Sequence, residues 1–214
     1  MKHPWLAAVW AAALIPPILV AVAVARTAVN VPYWDQWQFA PLLLDAARGH
    51  LDLRELWAQH NEHRLIVPRL LMLALAFLTG WNVRWELVAC VLLNLITLGL
   101  LARTLVRAVR PSFPRLGPWL VVVASLLTFS PSQWENWTSG WQCQMFLHVL
   151  FVAWIALLLV DWHGTWPRLC AILGLAALAL GSFAAGLSVV AMLPLVAAFC
   201  RILATSAPES AGRA

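Results

Sequence analysis

Residues 4–25, PWLAAVWAAALIPPILVAVAVA, run without a single charged side chain. No feature of the chain constrains its fold more. A hydrocarbon layer about 30 Å thick is crossed by roughly 20 apolar residues in a helix, because every backbone N–H and C=O must be satisfied within the segment where water is absent. Further apolar runs lie at 87–102, 117–130, 143–160 and 169–203. None shows the short alternation of an outer-membrane strand. The last run is too long for one crossing and is broken by GSFAAGLS, which splits it into a fifth and a sixth span meeting outside. The expectation is an all-α, polytopic transmembrane bundle of about six spans, a single domain over residues 1–214. A soluble domain is excluded by the 63% hydrophobic and 11% charged content, since the apolar share of such domains is about half.

Charge placement sets the orientation. Arg103, Arg107, Arg110 and Arg115 follow the second run with no acid among them, the mark of a cytoplasmic loop. The AVA before Arg26 resembles a signal-peptidase site, but the first run exceeds the roughly 7–15 residues of a signal core, so it reads as an uncleaved anchor with a cytoplasmic N-terminus. Residues 26–86 then form a long external loop, 131–142 a second one, and 204–214 a polar cytoplasmic tail. The run 65–80, LIVPRLLMLALAFLTG, contains Pro68 and Arg69. Were it a span, the four-arginine loop would fall outside, so it is expected to lie along the outer interface as a helix. Asp35, Asp45, Asp52, Glu55, Glu62, Glu86 and Glu135 are then external, and only Asp161 and Glu209 face the cytoplasm. The net charge of +5 belongs to this orientation and not to nucleic acid, because no basic-aromatic module gathers the arginines. Cys90, Cys143, Cys170 and Cys200 have no metal-ligand spacing and read as apolar packing residues.

Both external loops repeat one local pattern, Trp34-Asp35-Gln36-Trp37 and Trp134-Glu135-Asn136-Trp137. A carboxylate and an amide between indoles suit a polyol, whose apolar ring faces stack while its hydroxyls take hydrogen bonds. The plainer reading of the indoles is an interfacial belt. Asp35 after Pro32 also suits a helix N-cap, and Ser132 with Glu135 suits a capping box. A second concentration of ionisable groups is AQHNEHRLIVPR, with His60, Glu62, His63, Arg64 and Arg69. A helix starting at Asp52 would stack Leu53, Trp57, His60 and Arg64 on one side. That would place ionisable groups where an anion or a buried carboxylate needs a partner. The guanidiniums could grip a lipid phosphate, against snorkelling as the plain alternative. A solvated ion-pair patch is the plain reading of the cluster. Zinc on His60, Glu62 and His63 is disfavoured, since HxEH is not HExxH.

The order of these parts resembles the GT-C membrane glycosyltransferases. The likeness rests on an anchor followed by WDQW, on LLLDAARGH, on a polar stretch leading to Pro-Arg-Leu-Leu, on LTGWNVRWE, and on a second span ending in arginines. Within that superfamily the chain is most similar to bacterial relatives of the protein O-mannosyltransferases and the lipid A aminoarabinose transferases, which use polyprenyl-phosphate sugars. The resemblance implies an enzyme of the bacterial inner membrane, with Asp35 at the reaction centre. Taken with the indole pattern and the ionisable cluster above, the expected substrate-binding residues are Trp34, Trp37, His60, Glu62, His63, Arg64, Arg69, Glu135 and Trp137. The acceptor is not implied, and a divalent cation enters only through the family's acid in the second external loop, matched by Glu135 in location. Gln36 stands where the family has a second acid, and the spans are fewer than the family's, which implies a fragment or a reduced module. The rivals are a non-catalytic membrane component and a small transporter. The latter is disfavoured because the spans hold little that is polar at depth, namely Asn94, Ser125, His148 and Ser182.

Overall fold

A computed structural model describes residues 4–160, 162 and 165–206. Asp161, Glu209 and positions 207–214 of the expected tail lie outside the described residues. The chain is mostly helical, and three of its described helices are long and apolar enough to cross a membrane: Trp5–Thr27, Arg84–Val109 and Gly140–Val160. These belong to α1 (Pro4–Thr27), α5 (Arg84–Val109) and α8 (Cys143–Val160), the last preceded by a 3-10 turn over Gly140–Gln142. Helices α6 (Leu116–Thr128) and α9 (Trp166–Leu180) are 13 and 15 residues long. At 1.5 Å per residue they reach about 20 and 23 Å, short of a full hydrocarbon layer. The expectation of about six spans thus reduces to a helical membrane protein with three candidate crossings and shorter apolar helices beside them. Leu14, Ile15, Ile18 and Leu19 on α1 are more than half exposed, as a lipid-facing surface requires.

The boundaries have local causes. Helix α5 continues past residue 102 through Arg103 to Val109, so the arginine-rich stretch expected as a loop begins in helix and turns only at Arg110–Ser112. The break between α9 and α10 (Gly186–Ser206) falls at Gly181–Ala185, inside GSFAAGLS as expected. Gly186 must be glycine there, because a Cβ would come within 2.3 Å of Leu180 Cα. The run expected along the interface forms α4 (Ile66–Thr79), closed by Gly80 in the left-handed conformation at φ 66°.

Pro16 and Pro17 both lie inside α1. Proline lacks the N–H that would return to the carbonyl four residues earlier, and in lipid an orphaned carbonyl is costly. For Pro17 that carbonyl belongs to Ala13, and the fully buried Ser125 hydroxyl of α6 donates to it at 2.6 Å. Asn94 of α5 likewise donates from Nδ2 to the Thr128 carbonyl at the end of α6, at 2.8 Å. The sparse polar residues of the apolar helices therefore join helices through backbone groups. Ser125→Ala is expected to lower stability by about 1–2 kcal/mol, read as a depressed melting temperature in detergent; an unchanged value would show that the Ala13 carbonyl finds another donor.

The largest contact surfaces join α5 to α8 and to α6, α8 to α9, and α1 to α6. One core includes Val20, Phe39, Leu65, Met72, Phe129, Trp137 and Phe146; another runs along α8 and α9 through Phe151, Ile155, Ile172 and Ala179. The segments between α1 and α5, α6 and α8, and α9 and α10 gather at one end of the bundle. Val83 N–H donates to Asn30 Oδ1, Val67 N–H to the Gly181 carbonyl, and Ala184 N–H to His63 Nδ1. Short helices α2 (Ala40–Ala47), α3 (Leu53–Trp57) and α7 (Trp134–Thr138) lie within this cap.

The helix expected from Asp52 through Arg64 is corrected. Asp52 does cap α3, accepting from Arg54 N–H at 2.8 Å, but the helix ends at Trp57. Gln59–His60 (β1) then pairs with His63–Arg64 (β2) in an antiparallel hairpin, turned by Asn61 at φ 50°. Asparagine tolerates that conformation, and Arg69 holds the helix end by donating from one nitrogen to the carbonyls of Glu55, Leu56 and Ala58 at 3.0, 2.9 and 2.6 Å. Paired residues of the hairpin share a face and successive ones alternate, so His60 lies with His63, Arg64 with Gln59, and His60 and Arg64 do not share one side.

Candidate functional site

Asp35 sits in a 3-10 turn, Trp34–Phe39, that follows α1 after an extended stretch. It is not the N-cap of that turn. Its neighbour Gln36 makes the anchoring bonds instead, accepting from Tyr33 N–H at 2.8 Å and donating from Nε2 to Glu86 Oε2 at 2.6 Å. Both Gln36 and Glu86 are buried, and among the described residues no cation pairs with Glu86. With its neighbour held fifty positions away in sequence, Asp35 is directed outward into a cleft, its side chain 43% exposed.

His60 faces it. The buried imidazole places Nε2 3.4 Å from Asp35 Oδ2, while the ring packs edge-on against Trp141 at 5.0 Å between centroids. An N–H···O bond is ordinarily nearer 2.9 Å, so the two groups stand opposed without a tight bond. For Nε2 to donate to the carboxylate it must carry the proton. Asn61 Nδ2 lies 3.5 Å from the same nitrogen. Residues on either side of this pair hold positive φ, Trp34 at 47° and Asn61 at 50°. A bulky aromatic residue at such an angle is strained, and strain of this kind gathers at functional sites.

The cleft, about 60 Å³, is walled by Tyr33, Trp34 and Asp35 from the first loop and by Trp134, Glu135, Thr138, Ser139, Trp141 and Gln142 from the second. The repeated Trp-acid pattern of the two loops therefore converges on one surface depression. Tyr33 and Trp34 stack at 5.2 Å, which aligns an aromatic wall beside the carboxylate. Glu135 is exposed at this cleft and forms no capping box: Ser130, not Ser132, accepts from backbone at the start of the segment, and Gln133 precedes α7. A larger apolar groove, about 510 Å³, runs between α1 and α6 from Ile15 and Leu126 to Thr27, Trp134 and Thr138. Trp134 and Thr138 line both spaces. The groove beside the candidate crossing α1 and the carboxylate cleft at its end are thus neighbours.

Of the remaining expected residues, Trp137 lines the α1–α6 groove and the others stand elsewhere. Arg64 donates to the Trp57 carbonyl at 2.9 Å and lies over the Trp57 ring at 5.3 Å. Arg69 is the α3 clamp already described. His63 accepts from Ala184 N–H and stacks on Phe183 at 4.3 Å, which docks the α9–α10 turn, and the exposed Glu62 lies 3.7 Å from its Nε2. Trp37 meets Trp81 edge-on at 6.2 Å. Trp137 is buried between Phe129 and Phe146 and donates to the Ser130 carbonyl. Compared with protein-family models, with curated proteins and with solved structures, the chain matches none.

The amide of Gln36, expected to face a polyol, is instead buried against Glu86, and sequence reasoning missed that anchoring pair together with Gly140 and Trp141. The available signal was Glu86 itself, an acid in the first turn of an apolar helix, where an ionisable group is costly unless partnered. Its partner was hidden because the amide lies fifty residues away. Gly140 completes the arrangement: a Cβ there would fall 2.5 Å from Glu86 Oε2 and 2.9 Å from Gln36 Nε2.

Proposed function

We propose that this chain is a membrane glycosyltransferase of GT-C type, acting on a polyprenyl-phosphate sugar at the outer face of a bacterial inner membrane, with Asp35 as the base. The observation that carries the reading is the adjoining of two spaces, an apolar groove between α1 and α6 and a cleft holding Asp35 and Glu135, through Trp134 and Thr138. A lipid-linked sugar has the same two-part character, and the groove size falls within the roughly 300–1,000 Å³ of small-molecule sites.

In the reaction the acceptor oxygen attacks the anomeric carbon, its proton passes to Asp35, and the bond from that carbon to the phosphate oxygen breaks, releasing polyprenyl phosphate. His60, protonated on Nε2, orients the carboxylate. The indoles of Trp34 and Trp134 offer faces to the sugar. Arg64 and Arg69 are engaged with backbone carbonyls; a divalent cation, if one binds in the cleft, would be held from its carboxylates Asp35 and Glu135 and would supply positive charge to the departing phosphate.

A non-catalytic membrane component is the second reading, favoured by that engagement of both arginines away from the cleft. Turnover in membranes carrying the full chain distinguishes the two: release of polyprenyl phosphate from the lipid-linked sugar supports the first, and none supports the second. Within the first reading, Ala23→Phe fills the α1–α6 groove. It is expected to raise KM for a long-chain donor about tenfold or more while sparing a short-chain analogue. Equal KM values for wild type and variant would remove the groove from donor binding.

A further inference from the structure

A second groove, about 490 Å³, lies between α1 and α5, bounded by Ala21, Val24 and Ala25 on one side and Val88, Val91 and Leu92 on the other. Arg26 and Arg84 stand at one end of it. Arg26 is in the last turn of α1 and Arg84 is the first residue of α5, and the Val83–Asn30 bond holds these two helix ends together. Both guanidiniums are exposed, and among the described residues neither has an ion-pair or hydrogen-bond partner. No acid lines the groove.

We propose that this groove holds an acyl chain of an anionic glycerophospholipid, with its phosphate clasped between Arg26 and Arg84. Both helices are candidate crossings, so their paired ends lie at headgroup depth and the groove at chain depth. Apolar walls ending in two cations reproduce the polarity of such a lipid from tail to head. The binding charge comes from the guanidinium forks, because the first-turn N–H groups of α5 are already taken by Asn82 and Val83. A zwitterionic lipid fits less well: its ammonium would meet two like charges with no carboxylate on the groove to receive it. The site does not rest on the transferase reading, since Val24 is the one residue it shares with the α1–α6 groove.

The test compares phosphatidylglycerol with phosphatidylcholine of identical chains, titrated onto the purified full chain in detergent and read by native mass spectrometry. The wild type is expected to retain the anionic lipid on the order of tenfold more strongly, and millimolar inorganic phosphate is expected not to displace it. The double variant Arg26→Gln with Arg84→Gln is expected to lose that preference while keeping the wild-type melting temperature. Equal retention of the two lipids by the wild type would overturn the proposal whatever the variant does. A preference surviving in the folded double variant would overturn it as well, and displacement by free phosphate would overturn the role of the groove.

Discussion

Asp35→Asn is expected to lower release of polyprenyl phosphate by about 10²–10⁴-fold, the usual contribution of a positioned general base. Asparagine keeps the size of the side chain and its place opposite His60 but cannot accept the acceptor's proton. Because Gln36 and Glu86, not Asp35, hold the turn to the bundle, the substitution leaves the anchoring bonds intact, and the melting temperature should stay at the wild-type value. Glu135→Gln, on the opposite wall of the cleft, is expected to have a smaller effect. If Asp35→Asn turned over at the wild-type rate, the carboxyl would have no part in the chemistry.

Gly140→Ala is expected to be the most damaging small substitution in the cap. The added methyl would sit 2.5 Å from both Cβ and Oε2 of Glu86 and 2.9 Å from Gln36 Nε2, distances at which real Cβ atoms do not occur. Neither neighbour can yield, since each is buried and bonded to the other. Overpacking of this kind costs about 1–3 kcal/mol, and breaking the amide–carboxylate bond adds the penalty of an unsatisfied buried group. The turn carrying Asp35 hangs on that bond, so activity and melting temperature should fall together. A variant that kept both would show that Gln36 and Glu86 do not hold the turn. The contrast with Asp35→Asn, which should affect activity alone, separates the anchor from the reacting group.

The apolar elements were largely legible in the sequence. The run at 143–160 became α8 over the same residues, and the break inside GSFAAGLS fell as read. An uninterrupted apolar stretch bounded by polar or glycine-rich residues has few alternatives to a helix, in lipid or in a core. The hairpin at 59–64 was not legible, because two-residue strands are too short to display alternation and His60 and Arg64 fit a helical face equally well. Of the ionisable residues in AQHNEHRLIVPR, only His60 stands opposite Asp35. Arg64, Arg69 and His63 form backbone contacts that hold α3, the hairpin and the α9–α10 turn in place.

What the sequence by itself determined is the solvent in which this protein folds and the positions of its long helices, since lipid forces each apolar run to satisfy its own backbone. Tertiary structure alone decided which scarce polar groups meet. Asp35 opposes His60, Gln36 binds Glu86, and Ser125 reaches Ala13, across 25, 50 and 112 positions. A hydrogen bond between distant residues leaves no periodic trace along the chain, because it depends on how helices pack and not on how any one of them repeats.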